Sequence, residues 1–366
     1  MLIVLAVVVA LSWHFSSTAV VPDHSPWPED VRVEARSGDR VVLERDEETE
    51  RPGLYALVWQ GGQARVGAVL ASDGASVTRR LLSVRGYLAA GMEVAVESKF
   101  NAGDPRQALG FPYEQVPVRG ELGPMPAWLV DGREDTWAIV VHGINATPDD
   151  GLRLLPTLRR AGMSAMLITY REDLGAPASP DGYHHMGQTE WRDLEAAARY
   201  ALRHGARRLV LAGYSMGGSI VAQFIQNSRL APRVAGLVLD APALDWPAIF
   251  EYGAEEMGLP AFAAWPLERA IGARIEVDWD AVDAAKHPDA FQLPILIFHG
   301  IDDDLVPISI SEEFAAELPA RVTLYRVPRA DHTQSWNVNP RLYERRLEAF
   351  LERVVPPSSA QQSNTG

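Results

Sequence analysis

Ser215 stands between Gly213 and Gly217, after the apolar run Leu209-Val210-Leu211-Ala212. A helical pattern follows it, with Ile220, Val221, Phe224 and Ile225 on one face. A serine with a glycine two residues to either side, at a strand-to-helix turn, has the spacing of a nucleophile elbow. The turn is crowded. It forces the serine into a strained backbone conformation, and a Cβ at the flanking positions would meet neighbouring main chain. The strain leaves the hydroxyl exposed above a sheet, at the amino end of the next helix, where it can attack an acyl carbon.

Such an attack needs a base, a group that orients the base, and donors for the developing oxyanion. His332 follows the strand-like run 322–327 and precedes a helical pattern at 340–353. That is where the base belongs if the chain order is Ser, acid, His. Carboxylates are offered by two loops: Asp302-Asp303-Asp304, after the apolar run ending at Phe298, and Asp240, after Leu237-Val238-Leu239. The later loop lies closer to His332 in chain and sheet order, so the order Ser215, Asp303, His332 fits best, with Asp240 as the rival. Asp302 and Asp304 also suit turn capping. His142-Gly143-Ile144-Asn145 follows the apolar run 138–141. Its glycine lets main chain approach closely, so the N–H groups of Ile144 and Met216 are the expected oxyanion hole, with His142 as a loop brace. His184 and His185 line the pocket or nothing, and His287 reads as a surface turn.

The elements that must hold these residues are legible in the pattern. From residue 111 onward, nearly continuous apolar runs at 138–141, 165–168, 209–211, 237–239 and 295–298 alternate with helical stretches at 190–203 and 219–228. Runs of this kind fit strands buried on both faces of a parallel sheet, and ligands bind beyond the carboxyl ends of such strands. Residues 22–110 read differently. Short strand-like runs at 31–35, 40–43, 55–59 and 92–96, separated by glycine turns, predict a small β-rich module. The charge run at 44–51 reads as a solvated loop or strand edge. Trp246, Phe250, Tyr252, Phe262, Trp265 and Leu267, within residues 245–290, suit either an apolar cap or ordinary helix packing.

The first 21 residues are apolar enough for a transmembrane anchor, with a cleaved signal segment as the alternative; no Asp, Glu, Lys or Arg precedes Asp23. The anchor would leave the catalytic body outside the cytoplasm; a cleaved segment would make it secreted. Pro22 to Pro28 reads as a linker, and residues 356–366 as a disordered polar tail.

The 366 residues are 47% hydrophobic and 22% charged, which describes a chain with a sizeable core. A net charge of −14 disfavours nucleic acid as a partner. The absence of cysteine excludes disulfides, thiolate metal sites and a cysteine nucleophile. No cofactor is expected, and the aspartates with His184 and His185 match no defensible metal spacing.

Taken together, the Ser215 elbow, His142-Gly143, His299-Gly300-Ile301-Asp302-Asp303 and Ala330-Asp331-His332 resemble the α/β-hydrolase superfamily. The closest likeness is to its serine-dependent esterase, lipase and serine-aminopeptidase branch, which includes membrane-anchored bacterial members. The resemblance runs from about residue 111 to 355. It implies an α/β-hydrolase fold preceded by the β-rich module and the N-terminal hydrophobic helix. It also supports Asp303, since the acid in such proteins stands four residues after the His of the His-Gly pair. The activity it implies is cleavage of a small-molecule or lipid acyl ester through an acyl-enzyme, with a peptidase or a catalytically silent binding module as alternatives.

Overall fold

The computed structural model describes residues 12–14, 16–26 and 28–355. Two β structures follow one another along the chain. The first is a closed barrel of six strands: β1 (Val31–Ser37), β2 (Arg40–Glu44), β3 (Tyr55–Trp59), β4 (Gly62–Ser72), β5 (Ser76–Arg85) and β6 (Glu93–Glu97). Their order is β1-β2-β5-β4-β3-β6, and β1 pairs with β6 to close the ring. Val33, Val41, Leu43, Leu57, Val66 and Val94 alternate inward with polar neighbours and fill it. The predicted runs correspond to β1, β2, β3 and β6. The long hairpin β4–β5 was not anticipated, because Arg65, Arg79 and Arg80 interrupt its apolar alternation.

The second structure is an eight-stranded sheet in the order β14-β13-β12-β11-β9-β10-β8-β7. Its antiparallel edge is β7 (Glu114–Arg119) and β8 (Pro124–Val130). The parallel part comprises β9 (Thr136–Val141), β10 (Ala165–Ile168), β11 (Arg208–Tyr214), β12 (Val234–Asp240), β13 (Ile295–Gly300) and β14 (Val322–Val327). Each predicted apolar run became one of these strands. Alternation within them feeds two cores. Ile139, Val141, Leu211, Leu239 and Ile297 face the helices Trp191–Arg203 and Met216–Asn227. Val140, Ala212, Val238 and Phe298 face Leu155, Leu158 and the helix Pro340–Val354. Strand order reverses around β9, which has β10 on one side and β11 on the other. Such a switch opens a crevice at the carboxyl edge of the sheet.

The expected anchor lies mostly outside the described residues. Residues 1–11 lie outside the described residues, as does the tail 356–366. Among the described residues no helix is long and apolar enough to cross a membrane. Residues 16–20 are helical, and Val20 is fully buried in the larger core, with its carbonyl accepting from His184 N at 2.9 Å. The last residues of that segment, 16–20, thus pack against the body of the protein. The linker reading changes too: Asp23 N donates to Asn145 Oδ1 at 2.9 Å, and the His24 ring bonds the Glu172 carbonyl at 2.8 Å.

Candidate active site

Of the loops that leave the carboxyl edge of the parallel strands, four each carry one of the expected groups. Ser215 joins β11 to the helix Met216–Asn227 with φ 51° and ψ −121°, a conformation that side-chain-bearing residues rarely adopt. The reason for its glycines is visible. A Cβ on Gly217 would collide with the carbonyls of Val141 and His142, and one on Gly218 with Pro242. Ser215 N donates to the Asp240 carbonyl at 3.1 Å, and the Ser215 carbonyl accepts from Ala243 N at 3.1 Å. These bonds tie the elbow to the exit of β12.

Asp303 and His332 meet. His332 Nδ1 lies 2.9 Å from Asp303 Oδ2 and 3.1 Å from Oδ1. The carboxylate is fully shielded and also accepts from Leu305 N at 3.0 Å and Val306 N at 2.8 Å. Burial would raise its pKa, but bonds from His299 and His332 outweigh this and hold the carboxyl well below the usual range. For His332 the balance is reversed in sign. Burial disfavours the imidazolium, while the hydrogen bond and charge of Asp303 favour it more, so the ring titrates above its ordinary value. His332 Nε2 and Ser215 Oγ have no hydrogen bond to each other, nor to any other group among the described residues. In apo geometries this contact often forms only with substrate in place.

The His142-Gly143 loop packs directly beside Ser215, since a Cβ on Gly143 would stand 3.1 Å from Ser215 Cβ. Among the described residues the N–H groups of Ile144 and Met216 have no hydrogen-bond partner. His142 is a brace: it is buried, with Nε2 2.9 Å from Asp173 Oδ2 and Nδ1 2.9 Å from the Gly143 carbonyl. Tyr170 adds a bond from its hydroxyl to the same carbonyl at 2.6 Å. The strained Asn145, with φ 55°, is held between Asp23 N and His184 Nε2. His185 bonds Asp181 and stands apart from the aspartates after β13. His287 is an exposed turn residue, as expected.

Asp240 makes no hydrogen bond to His332, whose ring is bonded to Asp303 instead. Its buried carboxylate faces Arg153, Ser335 and Tyr343, with no hydrogen bond closing on it. Burial there pushes its pKa up to about 6, only partly offset by Arg153. Asp303, Asp304 and Asp331 bring one oxygen each within 4.8 Å of one another, the spacing of a cation site. A guanidinium already sits there: Arg51, 2.7 Å from Asp331 and 3.7 Å from Asp304.

Arg51 is the residue the sequence hid. Glu47 in the same charge run is 85% exposed, as a solvated loop requires, but Thr49 is buried and Arg51 points inward. Only the pairing of an arginine with a distant Asp331 separates the two cases, and one chain carries no trace of that pairing. The segment 245–290 is part packing and part cover. Trp246 and Ile249 join the core and Tyr252 donates to the Asp303 carbonyl at 3.3 Å, whereas Phe262 and Trp265 are 77% and 61% exposed.

Comparison with known proteins agrees with this architecture. Residues 31–97 match a domain of unknown function, DUF8805, and residues 172–356 match the prolyl oligopeptidase family. Among solved structures, an esterase of Pyrococcus furiosus superposes with a TM-score of 0.57 at 19% identity, over 70% of this chain and 96% of that one. An esterase of Butyrivibrio proteoclasticus with ferulic acid bound gives 0.53 at 16% identity, over 66% and 99%. At such identities the likeness is one of fold. A curated 2-C-methyl-D-erythritol 2,4-cyclodiphosphate synthase of Cupriavidus pinatubonensis is 29% identical over 134 residues, 36% of this chain and 67% of that protein. That stretch is too small a share of this chain to carry an activity across. The prolyl oligopeptidase match spans half of the chain and takes in the loops of Ser215, Asp303 and His332. The chain belongs to the prolyl oligopeptidase family and is a serine hydrolase with the α/β-hydrolase fold.

Proposed function

We propose that the protein cleaves acyl esters through Ser215, His332 and Asp303, by way of an acyl-enzyme. His332 Nε2 takes the Ser215 proton as Oγ bonds to the acyl carbon, and Asp303 holds the ring so that Nε2 faces the nucleophile. The N–H groups of Ile144 and Met216 receive the oxyanion. His332 then returns the proton to the departing alcohol, and water, deprotonated by the same ring, releases the acid. The observation that carries this reading is the bonded Asp303–His332 pair, on loops leaving the same sheet edge as the strained Ser215. Ser215→Ala should lower kcat by a factor on the order of 10⁶ if the three act as a unit. It should also abolish labelling by a fluorophosphonate; a variant that keeps turnover overturns the assignment.

The family match gives a second reading its support, hydrolysis of peptide bonds. The exposed apolar tip around Phe262 and Trp265 favours acyl esters. p-Nitrophenyl esters of several chain lengths, compared with aminoacyl anilides, decide between them; faster turnover of the anilides reverses the order. We also propose that the apolar run 2–11 attaches the chain to a membrane. Recovery of the uncleaved chain in the soluble fraction overturns that.

A further inference from the structure

The loop between β2 and β3 leaves the barrel and takes hold of the segment that carries His332. Arg51 Nη1 lies 2.7 Å from Asp331 Oδ2, with 17% and 10% of the two side chains exposed, so the pair is largely shielded from solvent. The Tyr55 hydroxyl donates to Gln334 Oε1 at 2.7 Å, and Leu54 N to the Asn337 carbonyl at 3.0 Å. Asn337 Nδ2 donates in return to the carbonyls of Leu54 at 2.5 Å and Ser98 at 2.7 Å. Gly53, at φ +120°, leaves room for this contact, because a Cβ there would strike the Asn337 main chain.

Behind the loop stands Arg79 of β5, a fully buried guanidinium. It donates to the carbonyls of Thr49 at 3.0 Å, Arg51 at 2.9 Å and Gly53 at 2.8 Å, and twice to Gly67. A buried cation satisfied by main-chain oxygens fixes the shape of the loop it bonds. From β5 to His332 the chain of contacts is continuous: Arg79, the 49–55 loop, then Asp331, Gln334 and Asn337.

We propose that the barrel positions the catalytic base, and that Arg51 is the positioning residue, binding the Asp331–Asp304 pair and so fixing both the place and the charge surroundings of His332. The proposal rests on the reading of His332 as the base. The groups facing the ring come from every neighbouring element. Asp303, backed by His299, leaves β13, and Asp240, backed by Arg153, leaves β12. Asp331 precedes the ring in its own loop, and Asp304 lies against Asp331. Glu48 and Arg51 come from the barrel's 44–55 loop, and Tyr252, on the Asp303 carbonyl, from the helix Trp246–Glu256. Asp303, Asp331 and Asp240 all favour the imidazolium. Arg51 is the cation set against Asp331 and Asp304. Without it, these carboxylates act unopposed and the ring stays protonated to higher pH. Proton uptake by Asp304, whose pKa burial and Asp331 push up to about 6, lessens that effect without reversing it.

The test uses the full chain, p-nitrophenyl butyrate and the pH dependence of kcat/KM, whose acid limb reports the base of the free enzyme. Arg51→Gln should move that limb to higher pH, lowering kcat/KM about threefold on the limb while the alkaline plateau stays within about twofold. Arg51→Lys should restore most of it. Asp331→Asn should move the limb the other way, and the double variant should return it towards wild type. Should Arg51→Gln alone fail to fold, the comparison of Asp331→Asn with the double variant carries the test: loss of Arg51 should move the limb up from that of Asp331→Asn, and an unmoved limb overturns the proposal. A superimposable profile for Arg51→Gln, or a loss equal at every pH that Asp331→Asn does not relieve, overturns the proposal. His332→Ala and Ser215→Ala run alongside: wild-type turnover in either defeats the assignment of the base, whatever Arg51 does.

Discussion

Asp303 and Asp240 are two buried carboxylates at the same sheet edge, and their environments drive them to different uses. Asp303 is bonded by two imidazoles and two amides and stays ionised; Asp240 has no bonded partner and titrates near 6. Asp303→Asn should therefore lower kcat by a factor on the order of 10⁴, through loss of the productive tautomer. Asp240→Asn should leave kcat within about tenfold of wild type. The reverse pattern in steady-state kinetics would exchange the two roles. The sign of the His332 shift sets the pH response. A base must be neutral, and a ring held above its ordinary value near 6.5 becomes neutral only at higher pH. The acid limb of kcat/KM should accordingly lie above pH 6.5, and a limb well below it would mean that Asp303 does not hold the ring.

At the scale of elements, the strand-to-helix turn after β11 admits no side chain at Gly217. Gly217→Ala should destabilise the protein by about 3 kcal/mol or more and lower kcat as the elbow shifts, measured by denaturant unfolding and ester turnover. This part of the molecule was legible in the sequence because the information is local. An apolar run, a glycine pair and a serine lie within ten residues, and the strand between two helices has no other way to turn. The β4–β5 hairpin was not legible, since Arg79 breaks its pattern. An arginine buried against carbonyls looks, in sequence, like one facing water. The same blindness covered Arg51, Val20 and Asn145, whose partners lie far along the chain.

At the scale of the whole molecule, the N-terminal segment belongs to the hydrolase as much as the helices do. Val20 is fully buried, Ser16 and the Trp13 carbonyl bond Arg274, and the Trp13 ring stacks on the same guanidinium at 4.2 Å. Burying a valine stabilises by roughly 1.5–3 kcal/mol. A chain starting at Pro22 should thus melt several degrees below one starting at Leu11, as thermal unfolding by circular dichroism would reveal; equal melting temperatures would show that the segment contributes nothing.

The ring of six strands has a further consequence. With every strand paired on both sides, it has no open backbone to lend to a neighbour. It touches the larger sheet's histidine segment through one turn and a few carbonyls, as a key touches a lock at its bit. Outward residues of the wall remote from residues 49–55 and 98–101 are therefore free to drift. Charge reversals at Glu34 or Arg80 should leave ester turnover unchanged, whereas shortening the turn by a single residue should silence it.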